Sequence, residues 1–305
     1  MKKLCLSFAL LIWAMSGFSQ VTARISDGTS FINNISYTNN PYYGTRGTYF
    51  TDVNGDGRTD AIVVNDKGIT VRISDGTKFT ENAAWTNNAY YGSMGTFFAD
   101  VNGDGKADAI VVNDGGITVR ISDGTRFTEN ATWTSNSFYG SIGTFFADVN
   151  GDGKADAIAV NSNGITVRIS DGTRFVENAA WTSNPYYGTR GTFFADVNGD
   201  GKADAIVINS DCITVRISDG TKFVENAKWT LNPYYGNRGT YFADVNGDGK
   251  ADAIVVNDGG ITVRISDGTK FTENATWTSN PYYGSRGTFF TDVNGDGKAD
   301  AIVVN

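Results

Sequence analysis

The chain has 305 residues, with 33 acidic against 25 basic side chains, a formal net charge of −8 and no histidine. Without histidine it lacks the commonest general base and metal ligand, and its two cysteines, Cys5 and Cys212, cannot supply a disulfide framework. No Lys/Arg-rich run marks a nucleic-acid surface, so no nucleic-acid partner is expected.

The N-terminal segment, 1–19, reads differently from the rest. Lys2 and Lys3 precede an apolar run from Leu4 to Phe18, and small residues, Gly17 and Ser19, stand just before Gln20. This is the pattern of a secretory signal peptide over residues 1–19. The run is too short for a comfortable membrane span and no second candidate follows, so no transmembrane segment is expected. The mature chain, 20–305, is therefore expected to be secreted, extracellular or periplasmic. Only Cys212 remains in it, so no internal disulfide can hold it rigid.

From Val21 the elements follow a fixed order. A β-prone run from Val21 leads into an Asp27-Gly-Thr turn, and a second run reaches Tyr37. A loop, Asn40-Pro-Tyr-Tyr-Gly, precedes a run from Gly47. Then come Asp52-Val-Asn-Gly-Asp-Gly and an apolar run from Ala61. The order recurs at a constant interval, with the Asp-Val-Asn-Gly-Asp-Gly loop starting at Asp52, Asp100, Asp148, Asp196, Asp244 and Asp292. Ile117, Val119 and Ile121 alternate with Thr118, Arg120 and Ser122, the period of a strand. No helical period appears in the mature chain.

Four short strands in a repeat of this length is the blade pattern of a β-propeller. The mature chain opens on the third strand of a unit and closes, at Ala301–Asn305, on the second. The two half-units complete one blade. The expected fold is therefore all-β: a single propeller over 20–305, with six four-stranded blades, one split between the termini. The rival is an open, solenoid-like stack, which would leave both end strands unpaired.

Each Gly-rich loop places oxygen side chains at its positions 1, 3, 5 and 9, and a backbone carbonyl at position 7 completes a set suited to a hard cation such as Ca²⁺. The candidate ligands are Asp52, Asn54, Asp56, Arg58 and Asp60; Asp100, Asn102, Asp104, Lys106 and Asp108; Asp148, Asn150, Asp152, Lys154 and Asp156. In the second half they are Asp196, Asn198, Asp200, Lys202 and Asp204; Asp244, Asn246, Asp248, Lys250 and Asp252; Asp292, Asn294, Asp296, Lys298 and Asp300. The basic residues would contribute only their carbonyls. An EF-hand needs a glutamate at position 12 and flanking helices, whereas position 12 here is Val63. A metal-free Asx-rich turn is the alternative, but three aspartates crowded into one short loop repel one another unless a cation is present. About six structural Ca²⁺ ions are expected, and no other cofactor.

The run DVNGDGKADAIVV, as it stands at Asp244–Val256, resembles the FG-GAP/VCBS repeat family. The resemblance covers nearly the whole mature chain. It implies a calcium-binding propeller of the kind found in integrin α-subunits and in secreted bacterial proteins, including propeller lectins. The Gly-Ala-Pro part of the integrin pattern is absent here, and Gly-Thr-Phe-Phe replaces its Phe-Gly. The bacterial branch is the closer match, and integrin-type ligand recognition is not implied.

Three further sets of residues recur. Trp85, Trp133, Trp181, Trp229 and Trp277 end the fourth strand, with Tyr37 in the split blade. They are expected to pack between blades, with a sugar platform as the second reading. Arg24, Arg72, Arg120, Arg168, Arg216 and Arg264 lie mid-strand, opposite Glu81, Glu129, Glu177, Glu225 and Glu273, and are expected to form cross-strand ion pairs. The loops between blades carry paired aromatics: Tyr42 and Tyr43, Tyr90 and Tyr91, Phe138 and Tyr139, Tyr186 and Tyr187, Tyr234 and Tyr235, Tyr282 and Tyr283. Arg46, Arg190, Arg238 and Arg286 follow four of these pairs, while Met94 and Ile142 follow two. Tyrosine offers a stacking face and a hydroxyl, so these loops are the candidate glycan site, unless the rings instead seal the blade interfaces. Blades followed by arginine are expected to bind better than those followed by Met94 or Ile142.

Enzyme activity is not expected. Near-identical blades provide no unique cluster of acid, base and nucleophile. Repeated shallow sites suit a repetitive target through avidity. The leading reading is a secreted, calcium-binding, multivalent lectin-like module that meets glycans or a glycosylated surface. The alternative is a structural or adhesive module that binds protein without sugar specificity. Neither reading fixes an oligomeric state.

Overall fold

The computed structural model describes residues 20–305 apart from Glu81; the side chains of residues 129–130, 177–178, 225–226 and 273–274 also lie outside what it describes. The leader expected over residues 1–19 therefore falls outside the described residues. So do the carboxylates of Glu81, Glu129, Glu177, Glu225 and Glu273 expected to pair with the mid-strand arginines.

Six antiparallel four-stranded sheets form the molecule. Blade two is representative, with strands Gly95–Ala99, Asp108–Asn113, Gly116–Ser122 and Phe127–Thr132 from inside to outside. The second strand reads Asp-Ala-Ile-Val-Val-Asn without alternation because both of its faces are covered. Ala109 and Val111 pack with Ile62, Val64 and Trp85 of blade one. Ile110 and Val112 pack with Ala157 and Ala159 of blade three. Alanine on one side against Ile/Val on the other lets neighbouring sheets approach closely, and six such inter-blade clusters make up the core.

The ring is closed. Inner strands touch in a circuit from Gly47–Thr51 through Gly95–Ala99, Gly143–Ala147, Gly191–Ala195, Gly239–Ala243 and Gly287–Thr291, back to the first. The last sheet is split between the chain ends. Val21, Thr22, Ala23 and Arg24 pair antiparallel with Val304, Val303, Ile302 and Ala301. The two end strands that an open stack would leave unpaired are thus paired with each other. Among the described residues no helix is long and apolar enough to cross a membrane.

The outer strands depart from regularity in a repeated way. Their register shifts between, for example, Phe127 and Asn130, which marks a bulge. In the split blade the same place holds Asn33, the one described non-glycine residue with positive φ, at 55°. Asparagine tolerates this left-handed conformation better than most residues.

Candidate functional site

Two faces and a rim carry the recurring polar groups. On one face the six Asp-Val-Asn-Gly-Asp-Gly loops join the inner strand to the second strand. Each folds around its own first aspartate. Asp52 Oδ1 accepts from the amides of Asn54 (3.1 Å) and Gly55 (2.7 Å), and Oδ2 accepts from Gly57 (2.8 Å). Asn54 Oδ1 and Asp56 Oδ1 accept from the amides of Asp56 and Arg58. Gly55 and Gly57 sit at φ 78° and 80°, where a side chain would be strained.

Asp60 lies beneath the loop, fully buried. Its two oxygens accept from the amides of Val53 (3.1 Å) and Ser74 (2.8 Å), tying the loop to the third strand. Burial pushes its carboxyl up to about 7 against those two amide donors, and the nearby charges of Asp52 and Asp56 push the same way. The equivalent Asp108, Asp156, Asp204, Asp252 and Asp300 are also raised to about 7. A basic side chain rests on each position-5 aspartate, as Lys106 Nζ does on Asp104 Oδ2 at 3.0 Å and Arg58 on Asp56 at 2.6 Å.

Among the described residues no three acidic, histidine or cysteine side chains converge as a ready-made metal cage. The carboxylates are instead turned onto the loop's own amides. The donor set is nevertheless of the kind a hard cation takes, three carboxylates and one amide oxygen within a single short loop. The loops are also linked. The amide at loop position 8 donates to the position 1 carbonyl of the preceding blade, from Ala107 to Asp52 and from Thr59 to Asp292, both at 2.8 Å. The same bond recurs from Ala155, Ala203, Ala251 and Ala299, closing a circuit of loops.

On the opposite face lie the paired aromatics, and the two members of each pair have different fates. The first ring is core. Tyr42, Tyr90, Phe138, Tyr186, Tyr234 and Tyr282 are each 6% exposed. The guanidinium of the blade's mid-strand arginine lies over each ring at 4.4–4.8 Å, as Arg72 does over Tyr42 and Arg24 over Tyr282. Tyr42 donates to Thr70 O at 3.1 Å, and burial lifts its phenol above the ordinary tyrosine range. For Tyr90 and Tyr282 the phenol is pushed up to about 12, again by burial. These six rings take the sealing role given above as the alternative to a glycan site, and at this burial they offer a ligand no face.

The second ring of each pair reaches the surface. Four are covered by an arginine from the preceding loop: Arg46 over Tyr91, Arg190 over Tyr235, Arg238 over Tyr283 and Arg286 over Tyr43, at 3.5–4.5 Å. Two of these arginines are also tied to an acid, Arg46 to Asp66 and Arg238 to Asp258, each at 2.6 Å.

The tryptophans pack between blades. Trp85, Trp133, Trp181, Trp229 and Trp277 are 3–4% exposed, and Trp85 meets Phe127 of the next blade at 5.0 Å between ring centres. Beside these contacts the rim is grooved. One cavity of about 760 Å³ is lined by Tyr37, Thr38, Asn39 and Asn40 of the split blade and by Arg72, Lys78, Thr80 and Asn82 of blade one. Equivalent cavities of about 700 and 690 Å³ hold Arg120 and Arg126, and Arg264 and Lys270. The second basic residue in each comes from the Asp-Gly-Thr-Lys/Arg-Phe turn. It recurs as Lys78, Arg126, Arg174, Lys222 and Lys270, a periodic signal present in the sequence but not singled out there as a site.

The FG-GAP-like repeat model matches residues 52–111, 100–159, 148–207, 196–255 and 244–303. The chain belongs to the FG-GAP-like repeat family. Among solved structures, this FG-GAP-like propeller is similar to an Agrocybe aegerita lectin described by its specific recognition of non-reducing terminal N-acetylglucosamine. The identity is 18% over 93% of this chain and 84% of that one, with a TM-score of 0.65. It is also similar to part of the Photorhabdus luminescens Tc holotoxin pore, at 16% identity and a TM-score of 0.62, over 94% of this chain and 14% of that one. At such identities the likeness is one of fold. Comparison with curated protein sequences finds no match.

Proposed function

We propose that this FG-GAP-like propeller is a secreted, non-enzymatic, calcium-dependent module that binds carbohydrate through several equivalent weak sites. The observation that carries the reading is the rim groove. It recurs at three blade interfaces with the same chemistry: a guanidinium, a second basic group, threonine hydroxyls and asparagine amides beside an aromatic edge. Such a groove suits sugar hydroxyls, which need many donors and acceptors around a small apolar surface. The fold it shares with the Agrocybe aegerita lectin, whose description names a terminal N-acetylglucosamine, supports the same reading. Sites repeated round a ring would raise affinity for a dense glycan surface well above that of one groove.

Calcium would act on the face that carries the Asp-Val-Asn-Gly-Asp-Gly loops, which the Asp-Gly-Thr turns adjoin. When bound, it would supply positive charge to three crowded carboxylates per loop. The chain's part is to hold those oxygens on a glycine-built turn and to tie each turn to the third strand through the buried aspartate.

The test is a glycan array probed with the protein in calcium and after chelation. The groove variant replaces Lys78, Arg126, Arg174, Lys222 and Lys270 by alanine and leaves the arginines that cover the buried rings in place. Binding that is competed by free sugar and lost in this variant supports the proposal. Binding to a protein-coated surface that free sugar does not compete would favour the adhesive reading instead.

A further inference from the structure

The face opposite the calcium loops breaks the sixfold repeat at one sector. In four blades the half-buried second tyrosine lies under an arginine of the preceding loop. Met94 and Ile142 stand where that arginine belongs for Tyr139 and Tyr187. These two rings are the exposed ones, at 37% and 38%, and Met94 and Ile142, which take the place of the covering arginines, are themselves 43% and 48% exposed. The cause is local. A guanidinium held by cation–π attraction covers a ring face, whereas an aliphatic side chain at that position has no such attraction and leaves the face open.

The lost arginines also change the polar groups. Asp66 and Asp258 are neutralised by Arg46 and Arg238. The corresponding Asp114 has Met94 in place of the arginine, and the Tyr139 hydroxyl donates to its Oδ1 at 3.5 Å. Two adjacent blades thus present two open aromatic faces, two aliphatic flanks and a carboxylate oriented at one ring edge. The sector has two guanidinium charges fewer than a regular repeat would give it.

The size of this patch decides its occupant. Four side chains, each exposed by about two-fifths, offer on the order of 300 Å², well short of the ~800 Å² per partner of a stable protein interface. A second copy of the chain would not be held there. The patch is suited to a small ligand with flat apolar faces and neutral polar edges. Stacked pyranose rings have that character, with C–H faces for the tyrosines and hydroxyls that donate to Asp114.

We infer that Tyr139 and Tyr187 form a two-ring stacking platform for neutral oligosaccharide, a second kind of site confined to this sector and separate from the rim grooves. The inference rests on the carbohydrate reading above and adds a location that reading does not contain. It reverses the expectation that blades followed by arginine bind better, since the arginine occupies the face a sugar would use.

The experiment restores the missing caps. Met94→Arg and Ile142→Arg, singly and together, introduce the residue that four blades already carry, so folding is expected to be retained and is checked by thermal melting. The probes are a β-1,4-linked glucose trimer and an N-acetylglucosamine trimer, titrated by calorimetry and by tyrosine fluorescence. Each restored cap should weaken binding of the neutral trimer at this site about fivefold to tenfold, and both together should abolish it. The converse pair, Arg190→Ile and Arg238→Ile, uncovers Tyr235 and Tyr283 and should add binding. If the wild-type protein binds a trimer and the doubly capped protein binds it equally, the platform is overturned while the rim-groove reading stands. If the wild type binds neither trimer, nor any glycan on the array, both fail. If the caps change only self-association in sedimentation, the patch is a copy-to-copy contact and the inference is overturned.

Discussion

Removing residues 301–305 tests ring closure most directly. Ile302, Val303 and Val304 are almost completely buried, and the strand they form pairs on both sides, with Val21–Arg24 and with Gly287–Thr291. At ~1.5–3 kcal/mol for each fully buried branched side chain, the three contribute roughly 5–9 kcal/mol. That is comparable to the entire net stability of ~5–15 kcal/mol expected for a domain. Two ladders of backbone hydrogen bonds are lost as well, and the strand Val21–Ser26 acquires an exposed edge that can pair with other chains. The truncated protein should therefore unfold at much lower urea concentration by tryptophan fluorescence and should aggregate in sedimentation. A circular permutant makes the matched control. The Asn305 amide donates to Gln20 O at 3.3 Å, so a short linker can join the ends. With new termini placed in an exposed loop between two intact blades, this permutant should keep the parental midpoint. A truncated chain that stays monomeric with an unchanged midpoint would refute the reasoning.

The same geometry sets other outcomes. Tyr186→Ala should cost about 3–5 kcal/mol, as for other large buried aromatics, and should show first as a lowered melting temperature rather than as selective loss of glycan binding. Asp108→Ala leaves the buried amides of Val101 and Ser122 without their acceptor, at a cost of about 1–3 kcal/mol for each, and should destabilise the protein even in the presence of chelator. Gly57→Ala meets no neighbour within 4 Å and bears only the left-handed strain, about 1–2 kcal/mol. Gly92→Ala drives its new methyl into the carbonyls of Gly95 and Val112 and should be far more damaging; equal melting temperatures for the two variants would contradict this account. Chelation should lower the melting temperature and calcium should restore it, with several sites per chain by calorimetric titration; a melting temperature indifferent to both would remove the structural role of calcium.

The fold was legible because repetition made it so. A loop recurring at a constant interval set the number of blades, and the out-of-phase ends set how the ring closes. These are properties of chain order, which a sequence carries in full. The paired aromatics were harder to read because a tyrosine can seal an interface or stand on a surface, and composition does not choose between them. The difference lies in what covers each ring. Arg72 reaches Tyr42 from a distant strand of its own blade, while Arg46 reaches Tyr91 across a blade boundary, from the loop before it. No local pattern announces either contact. Once the arginine over each ring is known, however, the two positions that lack it acquire a meaning that the sequence alone assigns the other way. Met94 and Ile142 read as two weakened sites in a row of six; in the folded ring they leave two tyrosine faces uncovered while the other four are filled by the protein's own guanidinium groups. Near-perfect repeats thus place their informative residues at the exceptions, because a side chain that departs from its sister copies changes one contact against a constant background.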